Sequence, residues 1–236
     1  MLADPQFRDG VRAELAATTK FRLFNGEWGK VQIVETARAA HAHYEQQSIA
    51  GIAAIDGRDP LDVMLDLAIA EALQTVFTAQ LLNSDEAAVG RLLTHPHSLV
   101  SLSDAGAHLT FFNDAGFGLH LLGHWARELG VMSMSDAVRR LTSQPASVFG
   151  MRGRGVIREG YAADLLLFDP RTVGRGPKRR VFDLPGGAPR LTTDAIGVHG
   201  VWVNGQRVAN SEGLMESAPR AGELLTSFAA EHTRAP

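Results

Sequence analysis

The sequence changes texture at Gly150, and that change limits what the chain can fold into. Before it, apolar residues recur at helical spacing between capping residues. After it, short β-branched and leucine-rich runs are closed by Asp-Pro and Asn-Gly. The first part therefore reads as helices with a few short strands, and the remainder as strands.

Residues 4–20 predict a helix beginning near Pro5, with Val11, Leu15 and Ala16 at helical spacing. Trp28 to Val34 predicts a strand after the Asn25-Gly26 turn. Residues 36–50 read as helical, with Ala37, Ala40, Tyr44 and Ile49 inward. Asp59-Pro60 is a clearer start, because a capping carboxylate precedes a residue whose missing N–H costs nothing at the first helical position. Leu61, Met64, Leu65, Ala68 and Ala72 would form its apolar face. The next helix opens at Ser84-Asp85-Glu86, runs through Val89, Leu92 and Leu93, and stops at His95-Pro96-His97. Residues 98–103 predict a short buried strand ended by Asp104. Helices follow over 117–129 and 135–149, the second capped by Ser133 with Asp136, restarted at Pro145 and ended by Gly150.

Past Gly150, the run to Phe168-Asp169-Pro170 predicts a strand, and 196–208 a hairpin turning at Asn204-Gly205. The Gly-, Pro- and Arg-rich stretch 171–192 reads as a loop, and the tail from Ala221 as one more amphipathic helix. A helix, a short apolar strand, then a polar residue at the strand's C-terminal end is the grammar of a (β/α) barrel. A whole barrel needs about 250 residues and eight such units. Only 30–34 and 98–103 qualify as barrel strands here. The expected fold is α/β: the C-terminal part of a (β/α)8 TIM-type barrel over 1–150, then a small β-sandwich segment over 151–236.

The 236 residues are 45% hydrophobic and 21% charged, as in ordinary globular chains, and the net charge of −3 argues against nucleic acid as a partner. The short basic runs Arg152-Gly153-Arg154 and Lys178-Arg179-Arg180 read as solvated loops rather than phosphate sites. Cysteine is absent, so no thiolate can serve as nucleophile or ligand. The start lacks the basic and apolar regions of a signal peptide, and no apolar run approaches the roughly 20 residues that span a bilayer. A cytoplasmic protein without a membrane partner is expected.

Several patches then occur in order: Leu102-Ser103-Asp104-Ala105-Gly106-Ala107-His108, Asn113-Asp114-Ala115-Gly116, Leu122-Gly123-His124-Trp125, residues 137–146, Gly155 to Asp164, and Val203-Asn204-Gly205. This set resembles the amidohydrolase branch that contains the N-acyl-D-amino-acid deacylases, and it covers most of 56–227. The resemblance implies a metal-dependent hydrolase acting on the amide C–N bond of an N-acyl-D-amino acid or similar small N-acyl compound. It implies that Asp104 faces zinc or another divalent metal and shuttles a proton during hydrolysis. A turn or helix-cap aspartate is the bland alternative. His108, Asn113 and Asp114 are the implied substrate-binding residues, although backbone bonding and turn chemistry explain them as readily.

The remaining histidines fit less well. His120 and His124 have metal-ligand spacing, but Leu121 stands where the metalloprotease pattern needs Glu. His95-Pro96-His97 precedes a strand and so falls on the face away from catalysis. His41 and His43 read as surface residues of a helix, and Glu35 as a pocket or rim carboxylate. The family's first-strand His-x-His, bridging ligand and middle-strand histidines have no counterpart here. The chain alone is therefore expected to be inactive and not to retain the metal. It would be a fragment of a longer enzyme, half of a two-chain enzyme, or a non-catalytic binding module. Its partners would be the small N-acyl substrate and either a missing N-terminal half or a second copy through self-association.

Overall fold

The computed structural model describes residues 1–17, 22–100, 103–107, 109–110 and 113–228. The architecture is mixed α/β. The chain divides into two compact units, one of residues 1–86 with 179–188, the other of 87–178 with 189–236.

The first unit begins with α1 (Pro5–Ala16). Asp4 caps it by accepting from the Gln6 amide at 2.9 Å. No residue of α1 is buried. It is tied instead to α3 (Pro60–Ala70) by charge: Arg8 reaches Asp62 at 2.8 Å and Asp66 at 2.5 Å, and Arg12 reaches Asp62 at 2.6 Å. Asp59 caps α3 as its sequence predicts, accepting from the amides of Leu61 and Asp62. The buried face is Leu61, Val63, Leu67 and Ala68. Ala72 is exposed, because the chain leaves the helix at Ala70 and turns left-handed at Ala72 and Leu73.

β1 (Val31–Glu35) pairs antiparallel with β2 (Val76–Ala79), a strand the sequence pattern did not reveal. Val31 and Ile33 join Ile49, Ile52, Ala53, Val63 and Leu67 in the core of this unit. The helix expected over 36–50 is not formed. A short 3₁₀ turn (Ala39–Tyr44) is followed by a left-handed Gln46, and the main chain at 46–47 hydrogen-bonds to Ile33. That detour along β1 interrupts helical spacing. Helix α2 (Ile49–Asp56) starts only at the Ser48 cap and ends at left-handed Gly57.

The second unit carries α4 (Glu86–Thr94), then α5 (Phe117–His120), which widens into a π-helix over Leu121–Glu128. α6 (Met134–Leu141) opens on the Ser133 cap, and a kink at Thr142 separates it from α7 (Ser143–Val148). Leu121, Leu122, Trp125, Ala126, Ala137 and Val173 form the core. A four-stranded antiparallel sheet runs β3–β6–β7–β8, with β3 at Leu165–Phe168, β6 at Val198–Val203, β7 at Gln206–Asn210 and β8 at Gly213–Leu214. The hairpin turns at Asn204 and Gly205, both with positive φ, as an Asn-Gly turn requires.

The stretch read as a loop over 171–192 is a ribbon of β4 (Gly174–Leu184) and β5 (Ala188–Ile196), turning through Pro185–Gly187. Its glycines, proline and charges leave little alternating apolar signal, since most of its side chains are not buried. Residues 98–100 are not a strand, and residues 101 and 102 lie outside the described residues. The expected helix from Ala221 is absent over 221–228. Among the described residues no sheet closes into a barrel, and β1 sits in a two-stranded antiparallel pair. No helix among them is long and apolar enough to cross a membrane.

Candidate functional site

Asp104 lies on the tight turn 103–107, at φ 56°, in the left-handed region that aspartate tolerates better than most residues. Its main-chain carbonyl accepts from the Ala107 amide at 3.3 Å. The usual side-chain job in such a turn belongs to Ser103, whose Oγ accepts from the Ala105 amide at 3.1 Å. The Asp104 carboxylate is exposed and has no hydrogen bond or ion pair among the described residues. Neither turn-making nor helix capping employs it. Leu102 and His108 lie outside the described residues.

The segment continues onto the ribbon. The Leu109 carbonyl accepts from the Leu191 amide of β5 at 2.9 Å. Asn113 is 7% exposed, and its Nδ2 has no hydrogen-bond partner among the described residues. Asp114 lies 3.7 Å from an Nη of Arg175 on β4. Gly116, ending the same turn, rests on Arg175 so closely that a Cβ there would lie 2.6 Å from its Cδ. The structure thus brings Asp114 and Gly116 against Arg175, a ribbon residue that the sequence pattern does not mark.

His120 and His124 do stand together, with rings stacked at 4.8 Å and 9° between planes, and Trp125 edge-on to both. Nδ1 of His124 lies 3.1 Å from Glu128. Burial, with the positive charge of Arg175 and the neighbouring His124, pushes the His120 pKa down to about 4, so it is neutral at pH 7. His95 and His97 are exposed in a local turn, with the His97 amide donating to His95 Nδ1 at 3.2 Å.

Behind the turn, Arg140 of α6 is 5% exposed and donates to the carbonyls of Thr94 at 2.8 Å, His95 at 3.4 Å and Ser98 at 3.5 Å. Gln144 adds a bond to Ser98 O at 3.1 Å. The patch 137–146 therefore holds the end of α4 and the chain entering the Asp104 segment. The patches 155–164 and 203–205 are also joined. Arg154 pairs with Asp164, Asn204 Oδ1 and Glu223, while Asp164 accepts from the Asn204 amide at 2.8 Å. Arg154 is thus a largely enclosed clasp rather than a solvated loop residue.

In the first unit Glu35 pairs with Arg180 at 3.3 Å. His41 is not a plain surface residue: its Nδ1 lies 2.5 Å from the fully enclosed carboxylate of Glu71, which also accepts from the amides of Ala37 and Arg38. Nothing in the apolar spacing marks Glu71 as buried.

Among the described residues no three His, Asp or Glu side chains gather as a metal-holding group. A zinc site takes about four donors, three of them from protein even when catalytic. Asp104 alone does not fit that requirement, so these residues by themselves do not make a divalent metal site.

Residues 7–209 match the model of the Amidohydrolase family. D-aminoacylase of Alcaligenes xylosoxydans xylosoxydans is 33% identical over 181 residues, 76% of this chain and 34% of that protein. N-acyl-D-aspartate deacylase of the same organism is 30% identical over 177 residues, 72% and 33% respectively. The crystal structure of N-acyl-D-glutamate deacylase from Bordetella bronchiseptica, complexed with zinc and a phosphonate inhibitor, aligns with TM-score 0.43 and 30% identity over 83% of this chain and 36% of that one. The chain spans about a third of the length of these relatives. It belongs to the amidohydrolase family and is similar there to the D-aminoacylases.

Proposed function

We propose that this chain is the C-terminal portion of a metal-dependent amidohydrolase that cleaves the amide C–N bond of an N-acyl-D-amino acid or a similar small N-acyl compound. The observation that carries the reading is Asp104: an exposed carboxylate with no structural employment in its own turn, inside a chain that matches the family over 7–209. In the completed enzyme residues 1–150 belong to the barrel and 151–236 to the β segment. Asp104 takes a proton from the attacking water and returns it to the leaving amine, a role that positioned carboxylates perform well. His108, Asn113 and Asp114 border the substrate. Asp104 is also the one donor offered toward zinc or another divalent metal, and the other donors come from outside the described residues.

Two measurements test this. Elemental analysis of the purified chain is expected to find no stoichiometric zinc; tightly bound zinc would contradict an incomplete centre. A chimera in which this chain replaces the matching third of D-aminoacylase is expected to hydrolyse an N-acetyl-D-amino acid when loaded with zinc. A folded, zinc-loaded chimera with no hydrolysis would overturn the reading.

A further inference from the structure

Among the described residues, the donors of Arg175 and Asn113 in the second unit have no hydrogen-bond acceptor. The guanidinium of Arg175, with a side chain 22% exposed, has one contact among the described residues: the 3.7 Å approach to Asp114, too long for a hydrogen bond. Its planar fork carries five N–H donors suited to a two-oxygen anion. The amide nitrogen of Asn113, three residues before the Gly116 that rests on Arg175, is buried without a partner among the described residues. A buried donor left unsatisfied is destabilising, so an acceptor is called for.

We propose that Arg175, supported by Asn113, forms a carboxylate-binding site at the base of the β4–β5 ribbon, with Asp114 holding Arg175 in place until the ligand arrives. Resting on the hydrolase reading above, the natural ligand is the carboxylate of the N-acyl amino acid, and Arg175 selects substrates that carry one. Gly116 belongs to the device, since any Cβ there would displace the Arg175 stem.

The test uses the 236-residue chain itself and needs no catalysis, so its outcome is separate from that of the hydrolase reading. N-acetyl-D-alanine and its uncharged analogue N-acetyl-D-alaninamide are titrated at constant ionic strength, followed by amide NMR shifts and by the His120 ring titration. The carboxylate is expected to shift amides of 113–117 and 174–178 and to raise the His120 midpoint above about 4, because it neutralises the Arg175 charge that depresses it. The alaninamide is expected to bind at least tenfold more weakly, and Arg175→Gln to weaken carboxylate binding at least tenfold. Arg175→Lys, which keeps the charge and loses the fork, is expected to lose several-fold, and it decides the matter if the Gln variant does not fold. Equal binding of the two ligands, no binding of the carboxylate, or carboxylate binding unchanged in a folded Arg175 variant would overturn the proposal.

Discussion

Replacing Gly123 by Ala separates two physical effects of opposite sign. Within a helix, Ala is favoured over Gly by about 1 kcal/mol, so propensity alone predicts a more stable protein. The packing predicts the reverse. A Cβ at 123 would lie 2.7 Å from the Val173 carbonyl oxygen and 2.9 Å from Gly174 Cα, and both are backbone. Neither can swing aside as a side chain would. Val173 is fully buried, its amide donates to Asp169 O at 2.9 Å, and its carbonyl accepts from Arg127. Overpacking a site of this kind costs about 1–3 kcal/mol or more, and two backbone contacts under 3 Å place it at the upper end. The net expectation is a loss of about 1–2 kcal/mol. With a urea slope of about 2 kcal/mol/M, the midpoint falls by about 0.5–1 M at unchanged slope. Gly10 in α1 is the control: nothing lies within 4 Å of its added Cβ, so Gly10→Ala is expected to gain up to about 1 kcal/mol. A Gly123→Ala protein as stable as the parent, or more so, would refute the packing of the π-helix on β4.

Burial alone would raise the Glu71 carboxyl, but hydrogen bonds from His41 and the amides of Ala37 and Arg38 outweigh it and hold its pKa below the ordinary 4.5. Its contribution to stability is therefore complete above pH 4.5 and lost as pH falls further. Glu71→Gln should lower the melting temperature at pH 7 and flatten its fall between pH 4.5 and 3; an unchanged acid limb would contradict this. The depressed His120 acts with the same sign in a higher window: the unfolded chain takes a proton near 6.5 and the folded one near 4, so stability drops as pH falls through that window. His120→Gln should remove part of that drop, and a ring titration near 6.5 in the folded protein would disprove the depression. Arg140→Met leaves the carbonyls of Thr94, His95 and Ser98 without their donor and should cost about 1–3 kcal/mol in urea unfolding, against no change if those bonds are incidental.

Local chemistry was legible wherever one residue decides the backbone. Asp59-Pro60, Ser133 and Asn204-Gly205 act through their own side chains or φ preferences, and each stands where its sequence places it. The ribbon was not legible, because Gly174 to Ile196 derives its order from pairing between strands rather than from apolar alternation. Arg175 was lost with it. β2 was hidden for a similar reason: three half-buried residues and an exposed alanine after a left-handed turn carry little periodic signal. The broken helix at 36–50 depended on Gln46 adopting positive φ, which a glutamine does not announce. Of the candidate site, the sequence marked Asp104, His108, Asn113 and Asp114 through an ordered resemblance. The Asp114–Arg175 pair needed the structure, since it joins residues about sixty positions apart in the chain.

The central claim rests on Asp104, and its most direct test is Asp104→Asn in the zinc-loaded chimera with D-aminoacylase. Asparagine tolerates the same left-handed backbone, so the substitution removes the charge without straining the turn. The account predicts that kcat/KM for an N-acetyl-D-amino acid falls by about 10²–10⁴, the usual worth of a positioned proton-transfer group, while the unfolding midpoint stays put. A value of kcat/KM within a few-fold of the unsubstituted chimera would contradict it.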